Sequence, residues 1–544
     1  MPSTPTTKSQ VQAYRFVLRR MQSALVRKDA VMLHDPMRSH TRATVVGVCI
    51  AAVGVVGFLI WGLLSPKPKP PDQDSIIISK QSGQVYVLIS NPRQLIPTFN
   101  LASARLLLVA RQQQAQQAQG GGQPVTPIGL SSGQAPASAT TVDEKDLKDI
   151  PRGRLTGLQN GPDLLPGGDQ RIEPYWAVCD AYLINPTLPR PASENRVETT
   201  VLAGVRDLGP ELPETQSLLV QADDNIVYLM YRTPTSANIK TANAVRAKVD
   251  MNNPAVRAAL KLDASDVRRI TSGLLNAIRP AAELKPPPIV GRGEEPNGFR
   301  VENLRVGAVF QVQRAGQENQ GYYVVQRDGI EPITQTTADL IRFDESLNDT
   351  VIDRVAPDAI TNVPNQNVDL IDDTESPAVQ PEVLNPVANP VACLGWQVTG
   401  EGNSADHRTA VYIGDRVPLP RKADGTLYES VRIGTPAADG QRIDRFFMPP
   451  GRAAVVRGSN SREDFGIGPI YLISDRGVKY GVPDSGTADV LGLSGQVPAY
   501  LPITSLLPDG ASLNTRDVLQ TYDSVPVAPG VFETTPQQGG NGGG

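Results

Sequence analysis

The stretch SHTRATVVGVCIAAVGVVGFLIWGLLSPKPKPPD, residues 39–72, divides the chain into two unequal parts. From Ala43 to Leu64 it runs 22 residues without a charge. As a helix this run is about 33 Å long, slightly more than the ~30 Å of hydrocarbon in a bilayer. A core helix of a soluble protein rarely goes so far without a polar face. The run therefore reads as one membrane span over residues 43–64. A cleaved signal peptide has a shorter apolar region and a small-x-small cleavage site after it. Here SPKPKPPD follows, so an uncleaved signal-anchor is the better reading. Ala43, Gly47 and Ala51 recur at four-residue spacing, which suits either close approach of a second helix or plain tolerance of small residues by lipid.

The two sides of the span differ in charge. The chain has 544 residues and a net charge of −4. Residues 1–42 hold eight Lys or Arg against Asp29 and Asp35, a balance of +6, so residues 65–544 carry −10. The positive-inside rule keeps the basic segment in the cytoplasm and sends the rest across. Neither the net charge nor any basic cluster in the large part suggests a nucleic-acid partner. Within the basic segment, Tyr14, Val17, Leu18, Met21 and Leu25 repeat at helical spacing and predict a helix starting near Ser9. Such a helix either lies on anionic lipid or docks on a cytoplasmic partner. Residues 65–74, rich in Pro, read as a stiff spacer.

Beyond the spacer lie four related segments. GQVYVLISNPRQLIPTFNLASARLLL begins at Gly83, NIVYLMYRTPTSANIKTANAVRAKV at Asn225, GYYVVQRDGIEPITQTTADLIRF at Gly321 and GPIYLISDRGVKYGVPDSGTADVLGL at Gly468. Each opens on a β-rich run containing a tyrosine (Tyr86, Tyr228, Tyr323, Tyr471). Three continue to a proline: Pro97, Pro332 and Pro483. Each is read as ending on a helix whose start carries Ser103, Thr241, Thr336 or Thr487, in a capping or first-turn position. This predicts four copies of a strand–turn–strand–helix module, the second being the weakest. Residues 111–140 are rich in Gln, Gly, Pro and Ser and read as a low-complexity loop, and the Gly-rich end of the chain reads as a flexible tail.

Three cysteines occur. Cys49 lies in the span; Cys179 and Cys393 lie beyond it, where a disulfide can form. The latter two sit in mirrored settings, WAVC and CLGW, with Trp176 and Trp396 each three residues away. They are either bridged, which would bring two distant segments into one core, or two free thiols.

The sequence is poor in catalytic motifs. No Gly-Lys dipeptide occurs, which excludes a Walker A loop. The only histidines are His34, His40 and His407, too few for a His-based metal site in the large part. GLSSG, residues 129–133, matches a serine-hydrolase elbow formally but falls in the low-complexity loop rather than between a strand and a helix. The acid-rich run of residues 344–375 lacks the spacing of an EF-hand and reads as a solvated surface. No catalytic, cofactor-binding or metal-ligating residue is singled out.

Taken together, these residues resemble the EccB family of the type VII (ESX) secretion system of mycobacteria and related actinobacteria. The resemblance rests on YRFVLRRMQSALVRKDAVMLHDPMRSHTRA leading into a single span, on GQVYVLI…LIPTFNLASARLLL just after it, on the far-apart cysteine pair and on the fourfold repeat. It covers about residues 10–510. It implies an α+β fold: one transmembrane helix, then an elongated periplasmic region of four α/β repeat domains around a β-rich central domain held by one disulfide, Cys179–Cys393. It implies a place in the inner membrane beside EccC, EccD, EccE, other EccB copies and the mycosin protease. The repeat domains of the family resemble the cell-wall-binding subunit of a phage endolysin, which implies possible contact with peptidoglycan. Family members have been labelled ATPases; no cofactor is expected here, ATP being suggested by that label alone. The expected division is residues 1–42 cytoplasmic, 43–64 span, 65–74 linker, 75–155 first repeat, 156–205 and 351–450 central domain, 206–285 second repeat, 286–350 third repeat, 451–508 fourth repeat and 509–544 a C-terminal extension.

Overall fold

A computed structural model describes residues 7–27, 37–64, 70–119, 133, 135–183, 196–235, 243–312, 321–345, 351–365, 370–400, 405–437, 440–441 and 443–523. The chain forms two compact units, Met1–Lys69 and Pro70–Gly544, each described by itself. Among its described residues the first holds two helices. Helix α1, Lys8–Arg27, begins one residue before the expected Ser9. Helix α2, Met37–Leu64, extends the expected span by six residues at its amino end. Within α2, Arg42–Gly62 is long and apolar enough to cross a membrane.

Among its described residues the second unit contains five sheets, four of which share one pattern. In the first, strands Ser75–Ser79, Val85–Ser90 and Arg93–Thr98 form an antiparallel meander. Helix α3, Leu101–Gln119, then leads to strand Ala139–Val142, which returns parallel to Ser75–Ser79. The second sheet repeats this with Gln216–Gln221, Val227–Arg232, Ala244–Lys248, helix α4 (Pro254–Leu260) and Val267–Arg269. After it comes the short helix α5, Ser272–Ala277. The third uses Val309–Val312, Gly321–Val325, Ile330–Ile333, helix α6 (Gln335–Glu345) and Asp353–Val355. The fourth uses Ala453–Ser459, Ile470–Ser474, Lys479–Val482, helix α7 (Ser485–Leu491) and Val497–Tyr500. The β-branched and aromatic content of these runs suits a pleated, half-buried surface.

The unit is thus larger than the expected strand–turn–strand–helix. Its tyrosine-bearing run is the second strand, preceded by a strand the sequence reading left out and closed by another after the helix. In the second copy, ANAVRAKV does not start a helix: Ala244–Lys248 is the third strand, hydrogen-bonded to Val227–Arg232. Its helix begins later, at Pro254, with Asn253 as the cap. Thr241 lies outside the described residues. Of the two positions expected for Ser103 and Thr487, cap or first turn, the structure shows the first turn. Each donates its backbone N–H to a residue three positions earlier, Asn100 or Asp484. Thr334 serves Thr337 in the same way in α6, beside Thr336.

Three expected boundaries move. Residues 111–119 belong to α3 rather than to the low-complexity loop. Strand Asp353–Val355 completes the third sheet past residue 350. The supposed C-terminal extension packs back: Leu513 and Val518 are buried with α3, and Thr521–Tyr522 pairs with Leu155–Thr156 on the first sheet. Residues 524–544 and most of GLSSG lie outside the described residues.

The remaining sheet is built from two distant parts of the chain. Its order is Asp406–Gly414, Val391–Thr399, Tyr175–Leu183, Arg196–Ala203, Arg445–Phe447 and Val431–Arg432. One face shares a core with the second and fourth sheets, through Trp176, Val178, Leu394, Met230 and Val456. A separate core joins α3 to α7 and the first sheet to the fourth.

Removal of a cap tests the helix starts. Asp484→Ala removes the 2.7 Å bond to the Thr487 N–H and is expected to lower stability by about 1 kcal/mol. This will appear as a lower urea midpoint with an unchanged slope.

Candidate functional site

The mirrored WAVC and CLGW segments are partners in one antiparallel ladder. Trp176 faces Trp396, Ala177 faces Gly395, Val178 faces Leu394 and Cys179 faces Cys393. Two strands that run in opposite directions bring mirrored sequences into register residue by residue. Side chains alternate between faces along a strand, so the four pairs divide. Cys179 and Cys393 form a disulfide, closing a separation of 214 residues, among Leu202, Val205 and Phe447. The two tryptophans lie on the opposite face. Gly395 has a packing reason: a Cβ there would meet Leu208 and Tyr412 side-chain atoms at 2.6 Å.

On the tryptophan face three parts of the molecule meet. Tyr500, at the end of the fourth sheet, stacks on Trp396 with ring centroids 6.0 Å apart and planes 7° off parallel. Its hydroxyl donates to the Ala277 carbonyl at the end of α5. His407 and Phe465 pack against the same indole. Among the described residues neither indole N–H finds an acceptor, so this joint is held by apolar area and ring stacking.

Two residues beyond Val178, on the same face of the strand, sits Asp180, fully buried. It accepts from the Thr271 N–H at 2.6 Å, from the Thr271 hydroxyl and from the Thr199 hydroxyl. Thr271 caps α5, so this carboxylate ties the central sheet to the segment after the second sheet. Burial pushes its pKa up from 3.8 to about 6; the Thr271 and Thr199 hydrogen bonds oppose the shift, and nearby Asp444 adds to it. Arg268, in the closing strand of the second sheet, is buried too and donates to the Asn389 carbonyl at 2.7 Å. Burial lowers its pKa to about 10. Arg105 and Arg171 donate to the Leu491 and Gly492 carbonyls, which places two cations at the C-terminal end of α7.

The other expected residues are placed on the first unit. Tyr14, Val17, Leu18, Met21 and Leu25 lie on α1, all exposed. Ala43, Gly47 and Ala51 share one face of α2, and a Cβ at Gly47 would meet nothing within 4 Å. The acids of residues 344–375 are partly engaged: Asp344 pairs with Arg292, Glu375 with Arg279, and Asp373 accepts from the Thr334 N–H. The sequence reading passed over Asp180, Thr271, Tyr500 and Arg268. Asp180 did leave a signal, a charge inside the otherwise apolar strand WAVCDAYL.

The family model described as "Type VII secretion system ESX-1, transport TM domain B" matches residues 3–527. The chain is 27% identical over 526 residues to the ESX-1 secretion system ATPase EccB1 of Mycolicibacterium smegmatis, covering 96% of this chain and 97% of the relative. It is 28% identical over 535 residues to the ESX-3 secretion system ATPase EccB3 of the same species, covering 96% and 92%. Among solved structures, a chain of an intact ESX-5 inner membrane complex shares the fold at a TM-score of 0.65 and 23% identity, covering 98% of this chain and 99% of that one. The EccB3 dimer from the ESX-3 core complex does so at 0.63 and 24%, covering 82% and 100%.

Two measurements test the joint. Changing both Cys179 and Cys393 to Ser reopens a loop of 214 residues, worth up to about 5 kcal/mol by chain entropy. The double variant is expected to unfold at lower urea, and reductant should bring the parent protein to the same midpoint while leaving the variant unmoved. The raised pKa of Asp180 means that folding favours its protonated form. Stability from this group is full below pH 3.8 and is lost as pH rises through about 6, a difference of about 3 kcal/mol. Relative to Asp180→Asn, the parent protein should therefore gain stability as pH falls through that window. A gap independent of pH contradicts the assignment.

Proposed function

The chain belongs to the EccB family of type VII (ESX) secretion systems, and from that premise we propose that it is a structural, membrane-anchored subunit of such a secretion complex. The observation that carries this reading is the family match from residue 3 to residue 527, which takes in the apolar helix and the β-rich body together. The role is binding and spacing, with no bond made or broken. The ATPase in the relatives' names has no P-loop to act through, since Gly-Lys does not occur in this sequence.

In this reading the basic residues 1–42 stay in the cytoplasm and the body lies in the periplasm, as the charge asymmetry favours. Helix α1 offers its exposed apolar face to a cytoplasmic partner, and α2 offers the Ala43–Gly47–Ala51 face to neighbouring spans. The body consists of four repeat domains around a central domain bridged by Cys179 and Cys393. Other EccB copies pack against it, and EccC, EccD, EccE and the mycosin protease are its neighbours. The shared pattern of four sheets supports the repeat reading, and the fold shared with the solved EccB3 dimer supports self-association.

Two experiments test this. Protease added to intact spheroplasts should remove the body and spare residues 1–42; survival of the body would reverse the orientation. Affinity purification of the tagged full chain from detergent-solubilised membranes should recover EccC and EccD in fixed ratio. Recovery of the chain alone would refute membership of the complex.

A further inference from the structure

Between the second and third sheets, where α4 and α6 pack together, lies an open cleft of about 360 Å³. Its polar walls come mainly from three elements of the fold. One is a row across the third sheet: Gln311 is directly opposite Tyr322 on one side and Arg354 on the other, so all three project from the same face. The second is one side of α6, with Gln335, Asp339 and Arg342 at positions i, i+4 and i+7. The third is Lys261, at the C-terminal end of α4.

The groups these walls present are donors. Lys261 and Arg354 make no side-chain hydrogen bond or ion pair among the described residues. Tyr322 accepts from the Gln311 amide at 3.3 Å, which leaves its own O–H proton to donate elsewhere. Gln335 adds an amide. The one carboxylate among the described lining residues, Asp339, is already matched: Arg342 contacts it at 2.8 Å, with its guanidinium carbon 4.2 Å from the centre of the Phe343 ring. Lys261 also acts on Asp339 electrostatically, beside Arg342; three cations against one carboxylate still leave the described lining with an excess of two positive charges, in a body whose overall balance is acidic. Lys261 also holds a left-handed backbone, φ 49°, where Gly or Asn is the low-energy choice. A long cationic side chain stands at that position despite the local backbone preference.

We propose that this cleft is a binding site for a small multivalent oxyanion, a phosphate or carboxylate compound, held by Lys261, Arg354, the Tyr322 hydroxyl and the Gln335 amide. Two unpaired cations and two neutral donors around one concavity match the acceptor-only surface of such an anion. A ligand there would touch both the second and the third sheet and stiffen the contact between them.

The test uses the full chain in detergent at constant ionic strength, titrated with inorganic pyrophosphate and, separately, citrate. Unfolding temperature is followed alongside calorimetric binding. A saturable rise with at least one anion is expected. Lys261→Asn keeps a residue that tolerates the left-handed backbone, and Arg354→Gln removes a charge that has no partner. The double variant should keep the parent's unfolding temperature without ligand and bind at least tenfold more weakly. Absence of a saturable response in the parent overturns the proposal. So does a response of equal strength in the double variant, which would place the anion elsewhere.

Discussion

The body of the protein depends on the register of one strand pair. Tyr175–Leu183 and Val391–Thr399 are some 200 residues apart in the chain, and each is flanked by material belonging to other sheets. Their antiparallel alignment puts a covalent link on one face and a pair of indoles on the other. A slip of one residue would exchange the faces. The slipped strand's cysteine would then point into the large shared core and its tryptophan among Leu202 and Phe447, and the two sulfurs could no longer meet. The bridge therefore specifies as well as stabilises. Oxidised in this register, the central sheet has only one way to present Trp396 to Tyr500.

The polar contacts around that joint follow the same logic. A buried carboxylate is tolerated where several donors converge on it, and Asp180 has a backbone N–H and two hydroxyls. Its partner Thr271 is 91 residues away and also begins α5. The segment that Asp180 holds is thus the one whose last residue, Ala277, accepts the Tyr500 hydroxyl. Stacking and hydrogen bonding act on the same short helix from two sides.

Much of this plan could be read from the chain, and the misreadings have physical causes. The mirrored WAVC and CLGW were visible because antiparallel pairing turns a ladder into a palindrome of residue types. The span was visible because lipid imposes a length and a composition. The second copy was misread because Ala, Arg and Lys are good helix formers. The neighbouring strand Val227–Arg232 overrides that preference by supplying a ladder for Ala244–Lys248. The first and last strands of each unit were missed because their pairing is with each other, across the helix, and nothing local records it. The cap at Asn253 follows a short turn after strand Ala244–Lys248, in which the Asn253 N–H donates to the Asp250 carbonyl. Lys261, Tyr322 and Arg354 could not be grouped from sequence, since no spacing rule links the end of one unit's helix to the sheet of the next.

The sharing of one apolar core by α3 and the fourth sheet has a further outcome, for biogenesis. Leu106 and Leu107 of α3 leave the ribosome well before Leu472, Val482 and Leu491, which cover the same core, have been made. At ordinary elongation rates the interval is roughly 20–70 s. For most of it the first sheet has all its strands but Thr521–Tyr522 and lacks part of its cover, and a sticky helix face must be shielded or kept unfolded. Chains cut short before the last hundred residues would retain that exposure permanently. Quality control acting on this protein therefore has a natural checkpoint at its far end, where the returning strand Thr521–Tyr522 closes the circuit on Leu155–Thr156.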